Sequence, residues 1–169
     1  MPFTSIPVTW IILWLICYNR RKEDIGGWLL FYYIQLYVGI VITLLVLPFS
    51  VESLLPSRWV GAPGLYALYL LANLPVLAIL FAQVIVAHRL RRSRDPAYLV
   101  PLRRILWAAL LLSAVKLGID IKFFQLTLEL DALAVLWPAC WLPYFYRSIR
   151  VQHVFVTKDW QRIAELVVD

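Results

Sequence analysis

Charge is scarce in this chain of 169 residues. Lys, Arg, Asp and Glu make up 15% of it, where soluble domains average about 25%. Cysteine is nearly absent: Cys17 and Cys140 both lie inside apolar runs, and no C-x-x-C occurs. This excludes a disulfide framework and a cysteine-based zinc site. His88 and His153 are the two histidines; both fall beside basic segments, which excludes a haem-ligating pair deep in a bundle. No basic stretch precedes the first apolar run, and no small-residue cleavage site follows it. That run is therefore not read as a cleaved signal peptide. Internal repeats, low-complexity segments and soluble domain boundaries are also missing.

What remains is apolar. The chain is 63% hydrophobic, with a mean hydropathy of +0.79, a composition that reads as an integral membrane protein. Five apolar runs follow one another: 3–18, 25–49, 65–87, 105–124 and 132–146. The first, as a helix, reaches roughly 24 Å at 1.5 Å per residue, short of a hydrocarbon core of ~30 Å. It either crosses as a fifth span or lies partly in the interface. The other four are read as spans, the last one borrowing Leu126, Leu128 and Leu130. The expected fold class is all-α: a four-span helical bundle (25–149), preceded by a short N-terminal hydrophobic helix with a basic turn (1–24) and followed by a cytoplasmic amphipathic tail (150–169). In that tail Trp160, Ile163, Ala164 and Val167 share one helical face, with Thr157 as cap.

The net charge of +6 is unevenly placed. Arg20, Arg21 and Lys22 follow the first run. Arg89, Arg91, Arg92, Arg94, Arg103 and Arg104 separate the third from the fourth, and Arg147, Arg150, Lys158 and Arg162 follow the fifth. Only Arg58, Lys116 and Lys122 lie elsewhere. Every second loop is basic, the positive-inside pattern. It puts the C-terminus in the cytoplasm and the 50–64 loop outside. The arginines are topogenic; a lipid or phosphate site is the weaker alternative. With Tyr98 the one aromatic among the arginines, no nucleic-acid partner is expected.

The stretch KLGIDIKFFQLTLELD, 116–131, carries five charges. Lys116 lies 11 residues beyond Ile105, about 16 Å along a helix, near mid-membrane. Asp120 follows at i+4 on the same face. A tight hairpin near Gln125 brings Asp131 towards both, and Lys122 towards Glu129. Lys116, Asp120 and Asp131 are therefore the candidate intramembrane polar cluster. It serves either as a static lock between two helices or as a proton or substrate path. A Ser113/Lys116 dyad at i+3 is formally available as a nucleophile and base, but such residues in spans more often bond within the bundle.

Two further stretches carry a pattern. IGGWLL opens the second run, and WLPYFYRSIRVQHVFV closes the last. Gly26 and Gly27 permit close approach to the backbone. Trp28, Ser148 and Arg150 fall at the same face. Trp137 and Trp141 lie on a helix interrupted by Pro138 and Pro143, and Tyr144, Tyr146 and Arg147 suit an aromatic belt with a basic anchor. The pair of stretches resembles the DUF2569 family of small bacterial membrane proteins. Its Gly-Gly-Trp near the first span is matched by Gly26, Gly27 and Trp28. Its W-x-P-Y-x-x-S-x-R-V-x-x-x-F is matched by Trp141, Pro143, Tyr144, Ser148, Arg150, Val151 and Phe155, with one extra residue before Ser148. The resemblance covers 25–156, implies a four-helix core, and assigns no catalytic residue.

No cofactor, metal or enzymatic activity is expected. The leading reading is a non-enzymatic accessory subunit or assembly factor in the inner membrane. Its partners would be the lipid bilayer and another membrane protein or a second copy. The rival is a small transporter or channel using Lys116, Asp120 and Asp131.

Overall fold

The computed structural model describes the backbone of residues 5–124 and 128–159, with side chains apart from those of 5–10 and 128–130. These residues form helices and turns only. Helix α1 is Ser5–Asn19, α2 Gly27–Leu54, α3 Pro63–Ser93, α4 Leu99–Ile119 and α5 Leu128–Arg147. A π-helical turn, Asp120–Phe124, extends α4, and a short helix, Ile149–Val151, runs into a second π turn, Gln152–Thr157. The amphipathic tail read from the sequence lies, from Trp160 on, outside the described residues.

Local chemistry explains the ends. Pro63 opens α3 at a position where the missing N–H costs nothing. Arg94 closes it in the left-handed region (φ 53°), donating its N–H to the Leu90 carbonyl at 2.9 Å. The next turn is capped by Asp95, whose carboxylate accepts the Ala97 N–H at 2.9 Å, with Pro96 behind it. Among the described residues, four prolines lie inside helices beyond the first turn: Pro48, Pro75, Pro138 and Pro143. The sequence suggests that the last two interrupt α5, yet one helix runs through both. Each proline removes a single donor, and the flanking hydrogen bonds carry the helix past it.

By length and composition, α2 and α3 can cross a membrane. Only 11% and 17% of their most apolar windows are buried within the chain. A core helix of a soluble protein would be mostly buried. Val41, Ile42, Leu44, Leu45 and Val46 stand bare, as do Phe49 (85% exposed) and Leu71 (68%). Such an exterior needs an apolar surrounding, which points to a membrane setting.

The packed core is lopsided. It gathers Leu29, Tyr32, Tyr33 and Leu36 of α2, Ala87 and Leu90 of α3, Leu99, Leu102 and Leu106 of α4, and Trp141, Leu142 and Phe145 of α5. All sit towards the end where the arginines cluster, the basic end. Tyr32 is the hub, with Phe145 at 4.8 Å and Trp141 at 5.0 Å, both edge-on. Val151, Val154 and Phe155 are fully buried in the same core. The stretch up to Thr157, part of the tail in the sequence reading, is thus core structure. The far end holds a smaller aromatic cluster in which Trp59 meets Tyr66, Tyr69 and Phe124.

Candidate functional site

The first site is built on the α4–α5 hairpin. Lys116 stands in the last turn of α4, and Asp120 begins the π turn one helical turn later. The Lys116 ammonium donates to an Asp120 carboxylate oxygen and, at 2.5 Å, to Oδ1 of Asp131 in the first turn of α5. Asp120 is 1% exposed, Lys116 17% and Asp131 15%. One ammonium thus faces two carboxylates. The second oxygen of Asp120 is buried without a hydrogen-bond partner among the described residues. Lys122 does not join this cluster; its ammonium stands 5.4 Å from the Phe123 ring. The Glu129 side chain lies outside the description. Ser113 is buried in α4 without an ion pair or hydrogen bond to Lys116.

The second site is a groove at the basic end, about 250 Å³, lined by Trp14, Cys17, Tyr18, Arg21, Gly27, Trp28, Phe31, Tyr144, Ser148 and Arg150. Its floor depends on the two glycines. A Cβ on Gly26 would fall 1.7 Å from the Arg20 carbonyl oxygen. Gly27 adopts φ +57°, a conformation costly for other residues. The Arg150 guanidinium covers it, about 3.8 Å from where a Cβ would stand. Arg150 donates to the carbonyl of Glu23 at 2.9 Å and to that of Arg21 at 2.5 Å. It thereby clamps the turn between α1 and α2 to the short helix that follows α5. Burial pulls the Arg150 guanidinium below its ordinary range, with Tyr144 and Asp24 pulling the other way. The Tyr144 hydroxyl is buried close to Ser148 and Arg150 without a hydrogen bond of good geometry to either. Arg21 lies over the Tyr18 ring at 4.1 Å.

Of the residues singled out in the sequence, Gly27, Trp28, Tyr144, Ser148 and Arg150 converge on this groove. Gly26 lies just beneath it. Trp141 belongs to the core, and Pro143 is exposed. The sequence reading missed the contribution of α1, namely Trp14, Cys17, Tyr18 and Arg21. Their signal was present, an aromatic pair at i, i+4 ending on a basic turn. It also missed a cavity of about 320 Å³ between α2, α3, α4 and α5, lined by Gln35, Gly39, Thr43, Gln83, Ser113 and Trp137 among others. Gln83 donates there to the Tyr32 hydroxyl at 3.1 Å, and Gln35 Oε1 is buried without a hydrogen-bond partner among the described residues.

Further polar contacts tie helix to helix. Arg103 donates to the Phe145 carbonyl at 2.7 Å. Tyr37 and His88 lie at 3.1 Å, and Arg94 pairs with Asp24. No group of three metal-ligating side chains occurs among the described residues.

The architecture defines an all-helical chain with a bare apolar exterior and two inward-facing polar constellations. It belongs to the DUF2569 family of proteins of unknown function, whose pattern matches residues 22–156. No curated protein and no solved structure matches the chain.

Proposed function

We propose that this chain is an integral protein of the inner membrane that crosses it four times, through α2 to α5, with its basic end and C-terminus in the cytoplasm. Its role is non-enzymatic: an accessory subunit or assembly factor that acts by binding another membrane protein. One observation carries this reading. The most deeply buried charges are spent on holding helices together, as in Lys116 with Asp120 and Asp131. The surface left for work is therefore the apolar exterior. In the membrane such surfaces associate by close packing rather than by water exclusion. The test is a photo-crosslinking amino acid placed in turn at Leu45, Leu71, Leu111 and Leu133, all exposed. Adducts of one defined mass from one or two neighbouring positions support a partner face. Lipid adducts alone from all four positions overturn it.

A second reading, a small proton or cation path, is favoured by the composition of the cluster. Carboxylates outnumber the ammonium two to one, and one Asp120 oxygen is buried without a partner. Buried charges at membrane depth are functional sites by default. Vesicles holding the purified chain and a pH- or sodium-sensitive dye decide it. A flux abolished by Asp120→Asn supports the path, and vesicles no leakier than protein-free ones remove it.

A further inference from the structure

Positive charge collects around the basic-end groove, and the acids nearby are already in ion pairs. Glu23 is taken by Arg20 at 2.8 Å, and Asp24 by Arg94. Neither Arg21 nor Arg150 has a carboxylate within ion-pair distance among the described residues. Arg150 gives two of its five donors to backbone carbonyls, which carry no charge. Two guanidiniums with no carboxylate in ion-pair contact among the described residues thus line one concavity, together with a buried tyrosine hydroxyl that makes no hydrogen bond of good geometry there. A guanidinium pair matched with a hydroxyl donor suits phosphate oxygens.

The walls specify the rest of the occupant. Trp14, Trp28 and Phe31 make one side of the groove apolar and aromatic. Trp28 is in the first turn of α2 and 58% exposed, and Tyr144 is in the last turn of α5. The groove therefore lies at the rim of the apolar belt, the depth of lipid headgroups. At about 250 Å³ it is smaller than the pockets that enclose whole drug-sized ligands. It can hold a headgroup while acyl chains leave along the apolar wall.

We propose that this groove binds the headgroup of an anionic phospholipid, with Arg21 and Arg150 as counter-charges and Tyr144 as hydrogen-bond donor to the phosphate. Ser148 supplies a second hydroxyl at the same wall. The bound lipid would bridge α1, the start of α2 and the end of α5, which no ion pair joins among the described residues. The site rests on the membrane setting proposed above. Recovery of the chain in the soluble fraction would refute that setting; loss of the lipid preference alone would refute only the site.

The experiment is native mass spectrometry of the full chain, purified in mild detergent and stripped of lipid. It is titrated with phosphatidylglycerol and phosphatidylcholine of identical chains. One bound phosphatidylglycerol should persist at collision energies that remove phosphatidylcholine. Arg21→Gln should weaken its binding about fivefold, the effect of one arginine near an anionic headgroup. Tyr144→Phe should weaken it by about threefold, in the range of one hydrogen bond. Arg104→Gln, a basic residue of the same end outside the groove, should change nothing. Arg150 also clamps a turn, so Arg21 and Tyr144 carry the test. Equal retention of the two lipids overturns the proposal, as does an equal loss in Arg104→Gln. Displacement of phosphatidylglycerol by millimolar inorganic phosphate would mark a free-anion site and overturn it too.

Discussion

Gly26 has no room for a side chain, because the Arg20 carbonyl oxygen occupies the place where a Cβ would go. Gly27 has the room but the wrong backbone for any other residue, with nothing nearer than 3.8 Å and φ at +57°. The two adjacent glycines therefore fail differently. We predict that Gly26→Ala lowers stability by about 3 kcal/mol or more, as severe backbone clashes do. Gly27→Ala should cost only about 1 kcal/mol, the penalty of the left-handed region. Thermal melts in detergent would separate them, and equal losses would contradict the assignment. The glycine pair was legible in the sequence as a site of close approach. What approaches was not, because the Arg20 carbonyl and Arg150 reach it through a turn and through a contact 123 residues away in sequence. At the other end, Lys116→Met strands two acids and should destabilise by roughly 3 kcal/mol, the scale of a broken buried pair. The triple replacement Lys116→Met, Asp120→Val, Asp131→Val should recover most of that loss. If the triple variant melts as low as the single one, the cluster is not a lock.

Phe155 anchors an element that carries little apparent weight in the sequence. The helices themselves were legible because their apolar runs are long: 25–49 became α2, Gly27–Leu54, and 65–87 became α3, Pro63–Ser93. The Lys116–Asp120 contact was legible for a similar reason, i,i+4 spacing on one helix, and Asp131 followed once a hairpin was assumed. The segment after α5 falls in the 150–169 tail of the sequence reading, because the last apolar run ends at Tyr146. Its buried positions, Val151, Val154 and Phe155, nevertheless keep a helical i, i+3, i+4 rhythm. Phe155→Ala should therefore cost about 3–5 kcal/mol, as for a large core aromatic. A tolerated Phe155→Ala would mean that the segment only rests on the bundle. The mid-bundle cavity left no trace in the sequence, since Gln35, Gln83 and Ser113 come from three helices whose relative rotation no single run encodes.

Topology belongs to the whole molecule. With 13 of 16 basic residues in the segments that follow the first, third and fifth apolar runs, a reporter fused at Asp169 should read cytoplasmic, and one inserted at Gly61 external. Either opposite result would reverse or break the four-span scheme, whatever the packing. The uneven distribution of that packing also gives the molecule a mechanical character. Aromatic rings weld one end. Towards the opposite end one lysine grips two aspartates, beside the smaller Trp59 cluster, with a void of about 320 Å³ between the two ends. This is the build of a clothes-peg: a stiff spring, a gap, and jaws closed by a small catch. Releasing the catch with Lys116→Met should raise amide hydrogen exchange along 113–119 and 131–137, while 29–36 and 141–145 stay protected. A bundle that instead loosened evenly along its length would have no spring, and its void would be only imperfect packing.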